Sequence, residues 1–223
     1  MRRGTVSEEC IHIALGITPE GYKSVLDYEI APNKNNVSWS DLLKRLKNQG
    51  LKQVSLVVTD GFNGVNKIIQ QAYPMAKQQR CLVHIGRNIS SKVKRVDRAS
   101  ILNQFKQVYR ATNSQEATKL LEQFVSKWKP RYKKVMASLE MTENLLTFYQ
   151  FPHHIWSSIY STNLIESLNK EIQQQNKKRV VFPNEEALER SLLSIFEDYH
   201  IKFGARIHKG FGTCFDTLDS LFD

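Results

Sequence analysis

Asp60 follows a short apolar run, Val54-Ser-Leu-Val-Val58, and is itself followed by Gly61 and Gly64. Such a run reads as a buried central strand. A carboxylate just past the C-terminal end of that strand stands where α/β sheets hold ligands and metal ions. The two glycines let the chain turn tightly beside it. The same side chain has a second reading, as the cap of the next helix. Glu166 lies in Tyr160-Ser-Thr-Asn-Leu-Ile-Glu-Ser-Leu-Asn169. It borders an apolar stripe of Ile165, Leu168 and Ile172, and it also fits the third position of a capping box begun by Asn163. Cys81-Leu-Val-His84 offers a thiol and an imidazole, but a structural zinc site needs four ligands. His153-His154 is the only other dense spot, so Cys81 reads as a buried thiol and His84 as a histidine hydrogen-bonded near a sheet edge.

The remaining candidates are weaker. His12, His200 and His208 stand apart and read as structural or surface residues. Trp39, Trp128 and Trp156 read as packing residues. Arg206, His208 and Lys209, just before Gly210, fit either phosphate contacts or plain surface.

The charge balance points to a polyanion. The formal net charge is +10 over 223 residues. The excess is concentrated in Arg87, Lys92, Lys94, Arg95 and Arg98, in Lys127, Lys129, Arg131, Lys133 and Lys134, and in Lys177, Lys178 and Arg179. Clusters of this kind release condensed counterions when they meet nucleic acid, although solvated helix faces would give the same pattern. The chain is 41% hydrophobic and 24% charged, as ordinary globular proteins are. No apolar run approaches the length of a membrane span, and the N-terminal residues lack the apolar stretch of a secretory signal. Three cysteines, Cys10, Cys81 and Cys214, are too few and odd in number for a disulfide framework. A reducing, cytoplasmic setting is expected.

The candidate residues need elements to position them. Residues 10–17 and 22–30 read as two strands joined through the turn Thr18-Pro-Glu-Gly21. Ser38, with Asp41 three residues on, reads as the start of a helix whose apolar face is Leu42, Leu43 and Leu46, ended by Gly50. A helix carrying Val65, Ile68 and Ile69 follows Asp60. Residues 80–84 read as one more strand, followed by a basic helix. From about 98 to 150 the strand signals stop. Ile101, Leu102, Phe105 and Val108 recur at helical spacing, and Asn113 with Glu116 marks another helix start. Two further helices are expected over about 163–176 and 184–200. The order fits an α/β fold: a ribonuclease H-like mixed sheet interrupted late by helices. Residues 1–95 read as the first part of that core, 96–155 as an all-helical insertion, and 156–223 as the Glu166 helix and C-terminal helices completing the core.

Three segments taken together resemble one family. They are Val57-Val-Thr-Asp-Gly-Phe-Asn-Gly64, Gln79-Arg-Cys-Leu-Val-His-Ile-Gly-Arg-Asn88 and Ile159-Tyr-Ser-Thr-Asn-Leu-Ile-Glu-Ser-Leu-Asn169. Phe182-Pro-Asn-Glu-Glu-Ala-Leu188 and Gly210-Phe-Gly212 add to the set. In this order, over nearly the whole chain, they resemble the mutator-type transposases of bacterial insertion sequences. That resemblance implies a ribonuclease H-like fold with an Asp, Asp, Glu triad and a helical domain inserted before the Glu. Asp60 matches the second Asp, Glu166 the Glu, and Cys81 with His84 the family's Cys-x-x-His motif. Asn163 falls in the segment around the Glu. Asp60 and Glu166 lie 106 positions apart, room enough for the insert.

The family's first Asp precedes the hairpin, in a segment ending in basic residues that Met1-Arg2-Arg3-Gly4 resembles. It is therefore expected just upstream of Met1, together with the family's N-terminal DNA-binding region. Glu8 and Glu9 lie on the wrong side of the turn to replace it, and Asp27 belongs to a different strand. The resemblance implies metal-dependent DNA cleavage and strand transfer with two magnesium or manganese ions. It also implies double-stranded DNA as partner, at transposon ends and target, and a dimer or larger assembly on DNA. A cytoplasmic, nucleoid-associated location in a bacterium follows. The basic residues expected on DNA are Arg87, Lys92, Lys94, Arg95, Lys177, Lys178 and Arg179. Without the first Asp, the isolated chain is expected to be weak or inactive. A non-catalytic DNA-binding remnant and another ribonuclease H-like nuclease are the alternatives.

Overall fold

A computed structural model describes residues 9–61, 64–140, 142–176 and 182–221. Its strands are β1 (Cys10–Ile17), β2 (Lys23–Ala31), β3 (Leu56–Thr59) and β4 (Lys77–Arg80). Its helices are α1 (Asn36–Asn48), α2 (Val65–Ala72), α3 (Leu82–Lys92), α4 (Arg98–Val108), α5 (Ser114–Trp128), α6 (Lys133–Glu140), α7 (Trp156–Ile159), α8 (Asn163–Asn176), α9 (Glu185–Phe203) and α10 (Phe215–Asp219). The chain is thus mixed α/β. Among the described residues the strands form two sheets of two strands each: β1 antiparallel to β2, and β3 parallel to β4. The residues divide into two compact units, one of 1–54, 64–75 and 163–223, the other of 55–63 and 76–162. None of the described helices is long and apolar enough to cross a membrane.

The first unit is built on the expected hairpin. Thr18 and Gly21 close its turn: the Gly21 amide donates to the Thr18 carbonyl at 2.9 Å, and Gly21 holds φ +96°, a conformation that favours glycine. The hairpin presents Ile13 to a core made by Leu168 and Ile172 of α8 and by Leu192, Ile195, Phe196 and Tyr199 of α9. These helical residues recur at three- and four-residue spacing, which places each set on one face. Arg45 of α1 straps the outer strand. Its guanidinium donates to Asp27 at 2.9 Å, to Glu29 at 2.6 Å and to the Tyr28 carbonyl at 2.8 Å. Asp27 and Glu29 are therefore engaged in holding α1 to β2.

Two sequence expectations change here. Ser38 does not cap α1. Asn35 does, accepting from the Ser38 amide at 2.8 Å, and Ser38 is buried inside the helix. The Asn35 carbonyl-bearing side chain reaches the third helical amide, the geometry that an N-cap requires. Gly50 does end α1, at φ +105°. The second change is at residues 80–84: the strand stops at Arg80, and Leu82 onward is helix. The apolar residues Cys81, Leu82, Ile85 and Ile89 are all buried, at helical spacing.

His12 in β1 is 2% exposed, its ring edge-on to Trp39 with centroids 4.9 Å apart. Burial holds its imidazole below the ordinary pKa of 6.5, against an opposing contribution from Glu29. The unfolded chain therefore binds a proton near that pH that the folded chain takes up only at lower pH. Stability contributed by the neutral ring is present above the unfolded value and is lost as the pH falls below it. Urea midpoints taken at about pH 7.5 and about pH 5.5 should drop less for His12→Asn than for the unsubstituted protein. Equal drops would place the pH dependence elsewhere.

The second unit carries the helical segment. Asn113 caps α5 by accepting from the Glu116 amide at 2.8 Å, while the Glu116 carboxylate returns to the Thr112 amide at 2.8 Å. The expected helix start is thus present. Phe105, Phe124 and Trp128 are buried between α4 and α5, and Trp128 donates to Gln104 at 3.1 Å. Trp156 packs edge-on to Phe148 and Tyr149 and donates to the Phe151 carbonyl at 2.7 Å. Asp97, largely buried, accepts from Arg131 at 2.8 Å and from the Tyr132 hydroxyl. This pair of bonds ties the turn before α4 to the segment after α5.

Candidate active site at the end of a parallel strand pair

β3 and β4 run parallel, with Thr59 opposite Arg80, so both strands end at the same edge. Asp60 is the first residue beyond β3 and is exposed. Cys81 is the first beyond β4, and its amide donates to the Thr59 carbonyl at 2.8 Å. The sequence-predicted Asp60 and Cys81 therefore stand on neighbouring strand ends, where a parallel pair leaves room for a ligand. β3 itself is half-buried along its length, less enclosed than its apolar composition suggests.

The N-cap position of the next helix, α2, is held by another residue. The residue preceding α2 is Gly64, in a left-handed conformation and with no side-chain hydrogen bond to the helix. Asp60 is instead followed by Gly61 at φ +85°. A Cβ there would run into Nη2 and Nε of the Arg80 guanidinium. The glycine therefore serves two requirements, a left-handed backbone and close approach of a guanidinium. Gly61→Ala is expected to cost about 1–2 kcal/mol from the backbone conformation alone, and to displace Arg80. A urea midpoint shift that shrinks in the Arg80→Ala background would assign part of the cost to that contact.

Arg80 is the site residue that the sequence reading did not single out. Its position, last in β4 and immediately before the Cys-x-x-His motif, is the signal that marks it. A guanidinium presents a planar fork suited to phosphate oxygens, and this one lies against the backbone that follows Asp60.

Cys81 is 0% exposed and caps α3. Its sulfur accepts from the His84 amide at 3.5 Å, from the Thr162 amide at 3.3 Å and from the Thr162 hydroxyl at 3.3 Å. The Leu82 amide donates to the Tyr160 carbonyl at 2.9 Å. Cys81 and Leu82 thus hold residues 160–162 against the start of α3. His84 is half-buried on the first turn of α3. Behind them, Gln79 is 1% exposed and fully engaged: its amide nitrogen donates to the carbonyls of Leu145 at 2.8 Å and Arg80 at 2.7 Å, and its oxygen accepts from the Phe148 amide at 2.9 Å.

Glu166 lies in the other unit, in the first turn of α8 and half-buried. The helix begins at Asn163, so Asn163 is its first helical residue and not the cap that the sequence spacing suggested. The predicted basic residues Arg87, Lys92, Lys94 and Arg95 are all exposed on α3 or just after it. Lys177, Lys178 and Arg179 fall outside the described residues. Arg206 and Lys209 are exposed, while Cys10, Cys81 and Cys214 are free thiols.

Residues 1–205 match the family model described as Transposase, Mutator family. The chain is 71% identical, over its whole length, to the transposase for insertion sequence element IS905 of Lactococcus lactis, covering 57% of that protein. It is 44% identical over 190 residues to the transposase for insertion sequence element IS1201 of Lactobacillus helveticus, which is 85% of this chain and 52% of the relative. Over 199 residues it is 29% identical to the transposase for insertion sequence element IS256 in transposon Tn4001 of Staphylococcus aureus, 87% of this chain and 50% of the relative. The chain spans about half the length of these relatives.

Proposed function

This chain belongs to the Mutator family of transposases, and from that membership and the strand-end site we propose that it forms the catalytic portion of an insertion-sequence transposase. The reaction proposed is metal-dependent cleavage of DNA strands at the element's ends and joining of those ends to a target. The observation that carries the reading is the position of Asp60, the first residue beyond β3, beside Cys81, the first beyond the parallel strand β4. Glu166 is its proposed partner, on the strength of the motif around it. The fold proposed for the whole is ribonuclease H-like, with residues 96–155 as the helical insertion between the two acids.

The donor chemistry fits a hard divalent ion. Asp60 and Glu166 supply oxygens, the ligands that magnesium and manganese take. The soft donor nearby, Cys81, is buried and already accepts three hydrogen bonds. Bound ions would supply Lewis acidity to activate the attacking water or 3′-hydroxyl and to neutralise the leaving oxygen. The chain's own contribution is to hold the carboxylate at a fixed strand end, to keep the thiol out of competition, and to offer Arg80 to a phosphate. The proposed partners are double-stranded DNA and further copies of the transposase assembled on it.

Iron-directed cleavage of the polypeptide tests the pairing of the acids. Ferrous ion that replaces magnesium cuts the backbone near its ligands when ascorbate and peroxide are added. Cuts beside both residue 60 and residue 166, suppressed by excess magnesium and by Asp60→Asn, are expected. Cuts at one location alone, or none that magnesium suppresses, would remove the shared metal centre.

A further inference from the structure

A groove of about 660 Å³ runs between α3 and α4 of the second unit, and neither Asp60, Arg80 nor Cys81 lines it. Its cations are Arg87 on α3 and Arg98 and Lys106 on α4, all exposed, and no carboxylate lines it. Arg98 and Lys106 make no ion pair among the described residues. Ser90, Ser91 and Asn103 add hydrogen-bonding groups along the same walls. The floor is kept low at Gly86, which faces Leu102 and Phe105 with no side chain of its own.

We propose that this groove binds the phosphodiester backbone of DNA. The inference rests on the reading of the chain as a DNA-processing protein and assigns a second, non-catalytic contact to it. Arg98 and Lys106, without an ion pair among the described residues and with no carboxylate in the groove lining, gain from a polyanion. Arg98 and Lys106 are eight residues apart on one helix, about 12 Å along its axis. Phosphates of one duplex strand wind around the axis as they rise by about 3.4 Å per nucleotide, so side chains at that spacing reach phosphates about two steps apart. The serine and asparagine side chains suit the phosphate oxygens between. Neither Arg98 nor Lys106 is among the basic residues expected on DNA from the sequence, so the groove extends that contact surface from α3 onto α4.

The test is binding of the 223-residue chain to a fluorescein-labelled duplex, followed by anisotropy across a salt series. Arg98→Gln with Lys106→Gln should reduce the slope of log affinity against log salt by about 1.8, the counterion release of two phosphate contacts. Lys67→Gln with Lys119→Gln removes equal charge from exposed positions on α2 and α5, outside the basic clusters, and should leave the slope nearly unchanged. If the unsubstituted chain binds and both double variants lose slope equally, net charge and not the groove is responsible, and the proposal falls while DNA binding stands. An unchanged slope in the Arg98, Lys106 variant also overturns it. Failure of the unsubstituted chain to bind removes both readings. A second measurement guards against misfolding of the variant: acetylation of Lys106 in the unsubstituted chain should be slowed by the duplex, and an unprotected Lys106 overturns the groove.

Discussion

Asp60→Asn is expected to lower magnesium-dependent cleavage of an insertion-sequence end by about 10³-fold or more, with the chain built into a transposase of its relatives' length. The substitution keeps the size of the side chain and its place at the end of β3, but removes one negative charge and one strong oxygen ligand. Metal ions contribute several kcal/mol to stabilising charge in such reactions, and each loss of about 1.4 kcal/mol is a tenfold loss in rate. Glu166→Gln should give a loss of similar size. The two together should lose little more than either alone, because residues that act through one centre are not additive. Duplex binding at low salt should persist in all three variants. Single-turnover cleavage of a labelled end measures the rates. Retention of a tenth or more of the activity by Asp60→Asn would exclude this residue as a metal ligand, and loss of DNA binding with activity would point to a structural role.

The largest stability effect is expected at Gln79. Its side chain is buried and makes three hydrogen bonds with good geometry, to Leu145, Arg80 and Phe148. Gln79→Leu preserves bulk and removes all three. A buried backbone group left without a partner costs about 1–3 kcal/mol, and here an amide and a carbonyl on the 145–148 segment lose their partner at once. A loss of about 3–5 kcal/mol follows, lowering Tm by roughly 10 °C at 2–4 °C per kcal/mol for a chain of this size. Gln79→Glu should recover part of it only if the acceptor to the Phe148 amide dominates. Thermal and urea unfolding of the second unit check the size, and a change below about 1 kcal/mol would show that the segment rearranges to satisfy itself. The effect should reach the site, since Gln79 fixes the strand that delivers Arg80 and Cys81.

Local chemistry explains which elements were legible. The hairpin was readable because its alternation and its Thr18–Gly21 turn are set by neighbours in sequence. α5 was readable because Asn113 and Glu116 lie three apart and need only each other. α1 was found with its cap misplaced: Asn35 and Ser38 are both good capping residues, and only burial of Ser38 against the rest of the unit separates them. Residues 80–84 were misread for a related reason. Three apolar residues, Cys81 to Val83, are too few to show a period of their own, and their helical continuation is fixed by the Cys81 cap and by the bond of the Leu82 amide to the distant Tyr160 carbonyl.

The sequence by itself determined the chemical inventory: the acids Asp60 and Glu166, the Cys-x-x-His motif, the basic clusters, and, through their order, membership of the Mutator transposases. These are properties of residue type and spacing, which the chain carries unfolded. Tertiary structure decided their employment. It made the Cys81 sulfur the acceptor that holds Thr162. It brought Arg80 against Gly61 and gave Asp27 and Glu29 to Arg45. It also lined α3 and α4 into a groove whose cations are eleven or more positions apart in sequence on the two helices. Each of these is a contact between residues far apart along the chain, and the energy of such a contact depends on what else is buried beside it, which no local pattern records.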